Sequence, residues 1–172
     1  MPDPIVAVLA EKINEEASLT IDMLNMLPPG KESWRPDWPA TTGAPPFTST
    51  QLAFHLVESF SGVCACFLKL HPTQLSHFVA FKDKLAQIKE PSISDSILAL
   101  TNCQSLAAEG FAATRDNQLA TLIPTHFSPN GEPFLDTLMS NWKHINHHAH
   151  QLFLYLKLLG LPVSTQHLYK FK

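Results

Sequence analysis

Three things are missing from this chain of 172 residues: an excess of charge of one sign, an even complement of cysteines, and a long uninterrupted apolar run. Twelve basic against 15 acidic residues leave a net charge of -3 with no block of like charge. Nothing draws such a chain to a phosphate backbone, and no nucleic-acid partner is expected. No apolar stretch reaches the roughly 18 to 20 residues of a spanning helix, and the opening MPDPIVAVLAEKINEE lacks a basic segment and a cleavage site. No membrane partner is expected, and a cytoplasmic location is. The three cysteines cannot all pair within the chain, and Cys64 and Cys66 are two apart in a helical stretch, where their side chains diverge. They also lack zinc-knuckle spacing, so they read as small buried apolar residues. Alternating strand patterns, internal repeats and low-complexity segments are absent as well.

What is present is helix. The apolar fraction of 45% over 172 residues suits one core, so a single domain over 1–172 is expected. Asp3-Pro4 reads as an N-cap followed by proline at the first helical position, and Ile5, Leu9, Ile13, Ala17, Ile21 and Leu24 recur at helical spacing until Pro28-Pro29-Gly30. Residues 28–47 hold six of the 14 prolines and predict a long crossover loop. Thr48 and Ser49 offer the next N-cap, and a second helix runs through Leu52, Leu56, Phe60, Val63 and Phe67 to His71-Pro72. A weaker pattern over 73–89 predicts a short connecting helix, and 92–111 a third main one. After a breaker-rich loop over 123–133, a final helix runs from about Pro133 to Leu159, stopped by Gly160 and Pro162. The expected fold is therefore all-α, a four-helix bundle with long crossover loops, an architecture that builds metal sites from facing helices.

The chemistry concentrates in the last helix, in Asn141-Trp-Lys-His144-Ile-Asn-His147-His148-Ala-His150-Gln151. Residues four apart lie about 40° apart around a helix, so His144 and His148 point the same way and can chelate one divalent ion. His147 falls about 60° to the other side of His144 and His150 roughly 120° away. A third ligand must come from elsewhere, and His55, the one polar residue among Leu52, Phe54, Leu56 and Val57, is the candidate. On spacing alone, a hydrogen-bonded core histidine competes as a reading of His55, and a solvated face as a reading of His144 and His148. His71, His77, His126 and His167 read as loop or surface residues. Cys66 lies about 16 Å along the axis from His55 and cannot share its ligand sphere.

The segment from His144 through His147-His148, Gln151-Leu152, Tyr155-Leu156 and Gly160 to Pro162 resembles the closing motif of the DinB/YfiT-like superfamily. Gln51-Leu-Ala-Phe-His55-Leu-Val-Glu58 is similar to that family's second-helix motif, which supplies a lone histidine. The resemblance, which covers nearly the whole chain, implies that His55, His144 and His148 are the ligands of a divalent metal, zinc or nickel first. Where the family commonly has Arg-Gly, this chain has Ala149-His150, so any role of that arginine is lost while the ligand spacing is kept.

Glu58 and Ser59, three and four residues after His55, can reach the ion's surroundings, and Gln151, three after His148, can orient a ligand or pair across an interface. Leu152, Phe153, Leu154, Tyr155, Leu156, Leu158 and Leu159 cover most of the last helix's circumference. A homodimer, usual in the family resembled, is therefore expected, with coverage by the proline-rich loop as the alternative. Trp34, Trp38, Phe47 and Phe127 are candidates to line an apolar pocket. Two functions remain open. One is a metal-dependent small-molecule enzyme, which the resemblance implies is either a hydrolase or a transferase that joins a low-molecular-weight thiol to a small electrophilic substrate. The other is a non-catalytic, stress-associated dimeric bundle in which the metal is structural.

Overall fold

A computed structural model describes residues 3–37, 44–89, 91–126 and 128–170. In chain order it has α1 (Pro4–Asn25), α2 (Ser49–Leu70), α3 (His77–Gln87), α4 (Ile93–Ala113), the two-residue strands β1 (Leu122–Ile123) and β2 (Glu132–Pro133), and α5 (Phe134–Leu158). The helix boundaries follow local chemistry. Thr48 and Gln51 form a capping box at α2, as do Ser92 and Asp95 at α4. At the end of α5, Gly160 takes φ +79°, with Gly160 N–H bonded to Lys157 O and Leu161 N–H to Leu156 O. That pair of bonds is a Schellman stop, in which glycine adopts the left-handed geometry at no steric cost. Asp3 holds the N-cap position of α1 without a side-chain bond. The carboxylate of Asp116 accepts from Ile5 N and Val6 N instead, so a residue more than 100 positions away satisfies this terminus.

The four long helices close a ring in which α2 packs against α4 and α5, and α1 packs against the same two from the other side. Leu24, Ser49 and Ile93 line one groove, so the end of α1 and the starts of α2 and α4 share one end of the bundle. Asn141 lies beside Cys66, and the ring of Phe67 meets that of Phe134, so α5 runs antiparallel to α2. The long 28–47 connection thus joins the diagonally opposed α1 and α2 at one end of the bundle. The crossover is made by 71–92, whose α3 carries the chain back so that α2 and α4 run parallel. At this parallel contact Cys64 Sγ donates to Cys103 O, and Gly110 lets the Phe67 ring lie against the α4 backbone.

The core is one cluster centred on Met23, Leu52, Phe60, Phe67, Leu100 and Ile145. Burying each such side chain contributes about 1.5–3 kcal/mol. All three cysteines are free and buried there, and burial pushes the Cys66 thiol up to about 11. By length and composition α2 matches a membrane span, which the sequence reading did not anticipate; 56% of its apolar window is buried inside the bundle, the cause of its hydropathy here.

Two sequence expectations are corrected. The antiparallel pairing of Leu122 with Pro133 and Ile123 with Glu132 places a minimal strand pair in a segment read as loop; two residues are too few to show alternation. His71, read as a loop or surface residue, lies just past the end of α2 but is buried, with Nε2 2.9 Å from Thr114 Oγ1. Its burial follows from the parallel α2–α4 arrangement, which brings the two helix ends together and leaves no local pattern in the sequence.

Candidate metal centre

The antiparallel contact of α2 with α5 brings His55 opposite His144 and His148. His55 Nε2 lies 3.2 Å from His144 Nε2 and 3.1 Å from His148 Nε2. Among the described residues this is the one group of three or more ligating side chains whose atoms converge. His55 and His148 are half-buried and His144 is exposed, so the cluster sits at the rim of the bundle and is open on one side. Burial, then the neighbouring His55 and His147, hold the His144 pKa below its ordinary value. Burial is also the largest cause lowering the His148 pKa, opposed by its bond to Gln151. Both rings are therefore neutral near pH 7, the form that binds metal.

The outer ring nitrogens are engaged too. Glu58 Oε2 lies 3.4 Å from His55 Nδ1, and Gln151 Oε1 2.9 Å from His148 Nδ1. An amide oxygen only accepts, so His148 Nδ1 carries the hydrogen and its Nε2 presents a lone pair to the cluster, while Glu58 stands near His55 as a longer ion-pair contact. The Nε2 lone pair of His148 thus faces His55 Nε2 at 3.1 Å and His144 Nε2 lies 3.2 Å from the latter, a convergence of imidazole nitrogens that a cation satisfies. Ligand nitrogens about 2.0–2.1 Å from a tetrahedral ion sit roughly 3.3 Å from one another, so the spacing fits. The residues present thus suit a divalent ion with three imidazoles and no carboxylate in the inner set.

The other candidates separate clearly. Ser59 Oγ donates to His55 O within its own helix, away from the cluster. His150 faces away, as its angular position predicts, with Nδ1 2.8 Å from Asn146 O and Nε2 3.4 Å from the Tyr169 hydroxyl. His147 is exposed beside the site and is a minor cause of the lowered pKa values of His144 and His148. The Phe47 ring lies 5.1 Å from the His55 ring and 6.2 Å from that of His148, so it walls the site. Trp34 stands one layer out, edge-on to Tyr155 at 5.3 Å, showing that part of the proline-rich loop covers α5. Trp38 and Phe127 lie outside the described residues.

Sequence reasoning did not find the role of Tyr155. It is buried, receives a bond from Gln151 Nε2 at 3.2 Å and donates to Phe47 O at 2.8 Å. Its spacing from Gln151, four residues along α5, was the available signal. A separate groove of about 540 Å³ lies on the α1–α4 side of the bundle, lined by Ala7, Ala10, Ala107, Phe111 and others, without a converging set of ligands.

No family model and no curated protein matches the chain. Among solved structures, the chain is similar to the crystal structure of a DinB-like protein, YjoA, from Bacillus subtilis. The two are 16% identical, with a TM-score of 0.59 over 90% of this chain and 96% of that one. At that identity the likeness establishes the fold: this chain has a DinB-like helical architecture.

Proposed function

We propose that His55, His144 and His148 hold one divalent ion, zinc or nickel, through their Nε2 atoms, and that the chain is a metal-dependent enzyme acting on small molecules. The observation that carries the reading is the convergence of the three Nε2 atoms, with His55 Nε2 3.1 Å from that of His148, whose Nδ1 hydrogen is directed to Gln151. An ion held by three neutral imidazoles keeps positions open and makes a bound water or thiol acidic enough to serve as a nucleophile near neutral pH.

The protein's own groups support that use. Gln151 holds the proton on His148 Nδ1, which fixes that ring, and the Glu58 carboxylate stands 3.4 Å from His55 Nδ1. The absence of a carboxylate from the inner set leaves the ion's charge uncompensated, which favours an anionic partner such as a thiolate. Phe47 supplies an apolar wall for a small electrophile and keeps water from that side. Transfer of a low-molecular-weight thiol to such an electrophile is the reaction class these features suit first, with hydrolysis second. A second copy of the chain as partner belongs to the same proposal. It is supported by Leu154 and Leu158, four apart on α5 and 43% and 55% exposed. A cytoplasmic setting, where low-molecular-weight thiols stay reduced, completes it.

Elemental analysis of protein purified without a histidine tag, beside a His55→Ala variant, tests the site. About one divalent ion per chain is expected in the first and a loss of most of it in the second. Equal metal content in both would sink the three-histidine site. Metal-loaded protein that stays inactive across thiol-transfer and hydrolytic substrates would instead favour the structural-metal reading.

A further inference from the structure

The site is tied to the loop beside it by an unbroken run of hydrogen bonds. His148 Nδ1 donates to Gln151 Oε1 at 2.9 Å, Gln151 Nε2 to the Tyr155 hydroxyl at 3.2 Å, and Tyr155 to Phe47 O at 2.8 Å. The Tyr155 side chain is only 2% exposed, so its hydroxyl depends on these partners rather than on water. At the other end, the Phe47 ring rests against His55 and His148. The run therefore begins on one imidazole of the cluster and returns, through the loop backbone, to a ring packed on the same imidazole.

Each link in the run has a direction, and one rotation reverses it. A carboxamide presents an acceptor on one side and a donor on the other, so turning the Gln151 amide by 180° exchanges them. The donor Nε2 would then face His148 Nδ1, which must give up its hydrogen, and the neutral ring would carry it on Nε2. That hydrogen would point into the cluster, toward His55 Nε2 at 3.1 Å, and occupy the place a cation needs. At the far side, Gln151 Oε1 would face the Tyr155 hydroxyl and could take its hydrogen, leaving Phe47 O without its donor. His148 is neutral in both arrangements; only the position of one hydrogen changes.

We propose that Gln151 and Tyr155 form a two-state relay in which an ion on His148 Nε2 selects the arrangement that holds Phe47 over the site, and loss of the ion releases it. Gln151 and Tyr155 are thus positioning residues, acting through His148 and Phe47. The inference rests on the three-histidine metal reading. A ligand that stabilises one of two arrangements shifts the equilibrium by its difference in affinity for them, and the coupling is reciprocal: seating of Phe47 tightens the ion by the same factor. The relay gives the site a wall that is in place when the ion is present and moves when it leaves.

The test is hydrogen–deuterium exchange over residues 44–56 of the full chain, with zinc and after chelation, alongside a zinc titration of the same samples by a competing dye. The wild-type chain is expected to exchange roughly fivefold or more slowly in this segment when zinc is bound. Tyr155→Phe breaks the link to Phe47 O and should bind zinc while losing that zinc-dependent slowing. Gln151→Glu presents acceptors on both sides, which holds the His148 hydrogen on Nδ1 but draws the Tyr155 hydroxyl away from Phe47. It too should bind zinc and show no slowing, so the proposal stays testable if Tyr155→Phe does not fold. Nitrogen NMR of the wild type should place the His148 hydrogen on Nδ1 with zinc and on Nε2 without it. Zinc binding with unchanged exchange, or the same slowing in either variant, would overturn the relay alone. No zinc binding by the wild type would overturn the metal reading beneath it.

Discussion

At the scale of single residues, a buried carboxylate on α1 is held by a partner from α5. Glu16 of α1 is 8% exposed, and Asn146 Nδ2 donates to its Oε2 at 3.0 Å. Burial raises its pKa above 4.5, opposed by the Asn146 bond and by His150, while Glu15 adds to the rise. A carboxyl whose folded pKa lies above its unfolded value contributes stability that is full below pH 4.5 and is lost as pH rises through the folded value. Glu16→Gln removes the charge and keeps an acceptor for Asn146. The variant should therefore melt higher than the parent at pH 7.5, with the gap closing as the pH falls toward 4. Thermal melts across that range check it, and a lower melting temperature at pH 7.5 would contradict the burial argument. His55, by contrast, was marked by its apolar surroundings as needing a partner, and the family resemblance, rather than spacing, implied that the partner is a metal. Gln151 was legible only as a candidate: its spacing from His148 says that they can meet, not whether the amide turns inward or toward another chain.

Among the elements, the parallel contact between α2 and α4 is the most demanding. A Cβ on Gly110 would come within 2.3 Å of Phe67 Cγ, in a ring that is fully buried and packed against Phe111 and Phe134. The ring has no room to withdraw. Gly110→Ala should thus be destabilising even though alanine is the better helix former by about 1 kcal/mol. Overpacking a tight core costs about 1–3 kcal/mol or more, and a net loss on the order of 1–2 kcal/mol is expected. Urea unfolding would report it as a lower midpoint at unchanged slope, whereas an unchanged midpoint would mean that the helices part easily. Helix periodicity located all four long helices and the short α3, since each has a buried stripe and a chemical stop. It could not show that 71–92 provides the crossover, because the same helices can be joined in several orders, and helix direction depends on which faces meet.

For the molecule as a whole, the histidine cluster joins α2 to α5, the antiparallel pair on one side of the bundle. An ion held there binds only the folded chain, so it should stabilise the fold by about 2.7 kcal/mol at a concentration 100 times its dissociation constant. Melting in excess zinc should consequently occur well above melting in chelator, and His55→Ala should melt at one temperature in both. An equal rise in the variant would show that the ion acts elsewhere.

What the sequence determined by itself was the class of fold, the stretches that are helical and the shared face of His144 and His148, because these follow from periodicity, capping residues and spacing along a helix; His55 as their partner was implied by the family resemblance. Tertiary structure decided the burial of His71, the close passage at Gly110 and the run from His148 to Phe47, since each joins residues whose meeting depends on the relative direction of whole helices or on the path of a loop. Local interactions are written every three or four residues; long-range ones exist only once the helices have packed.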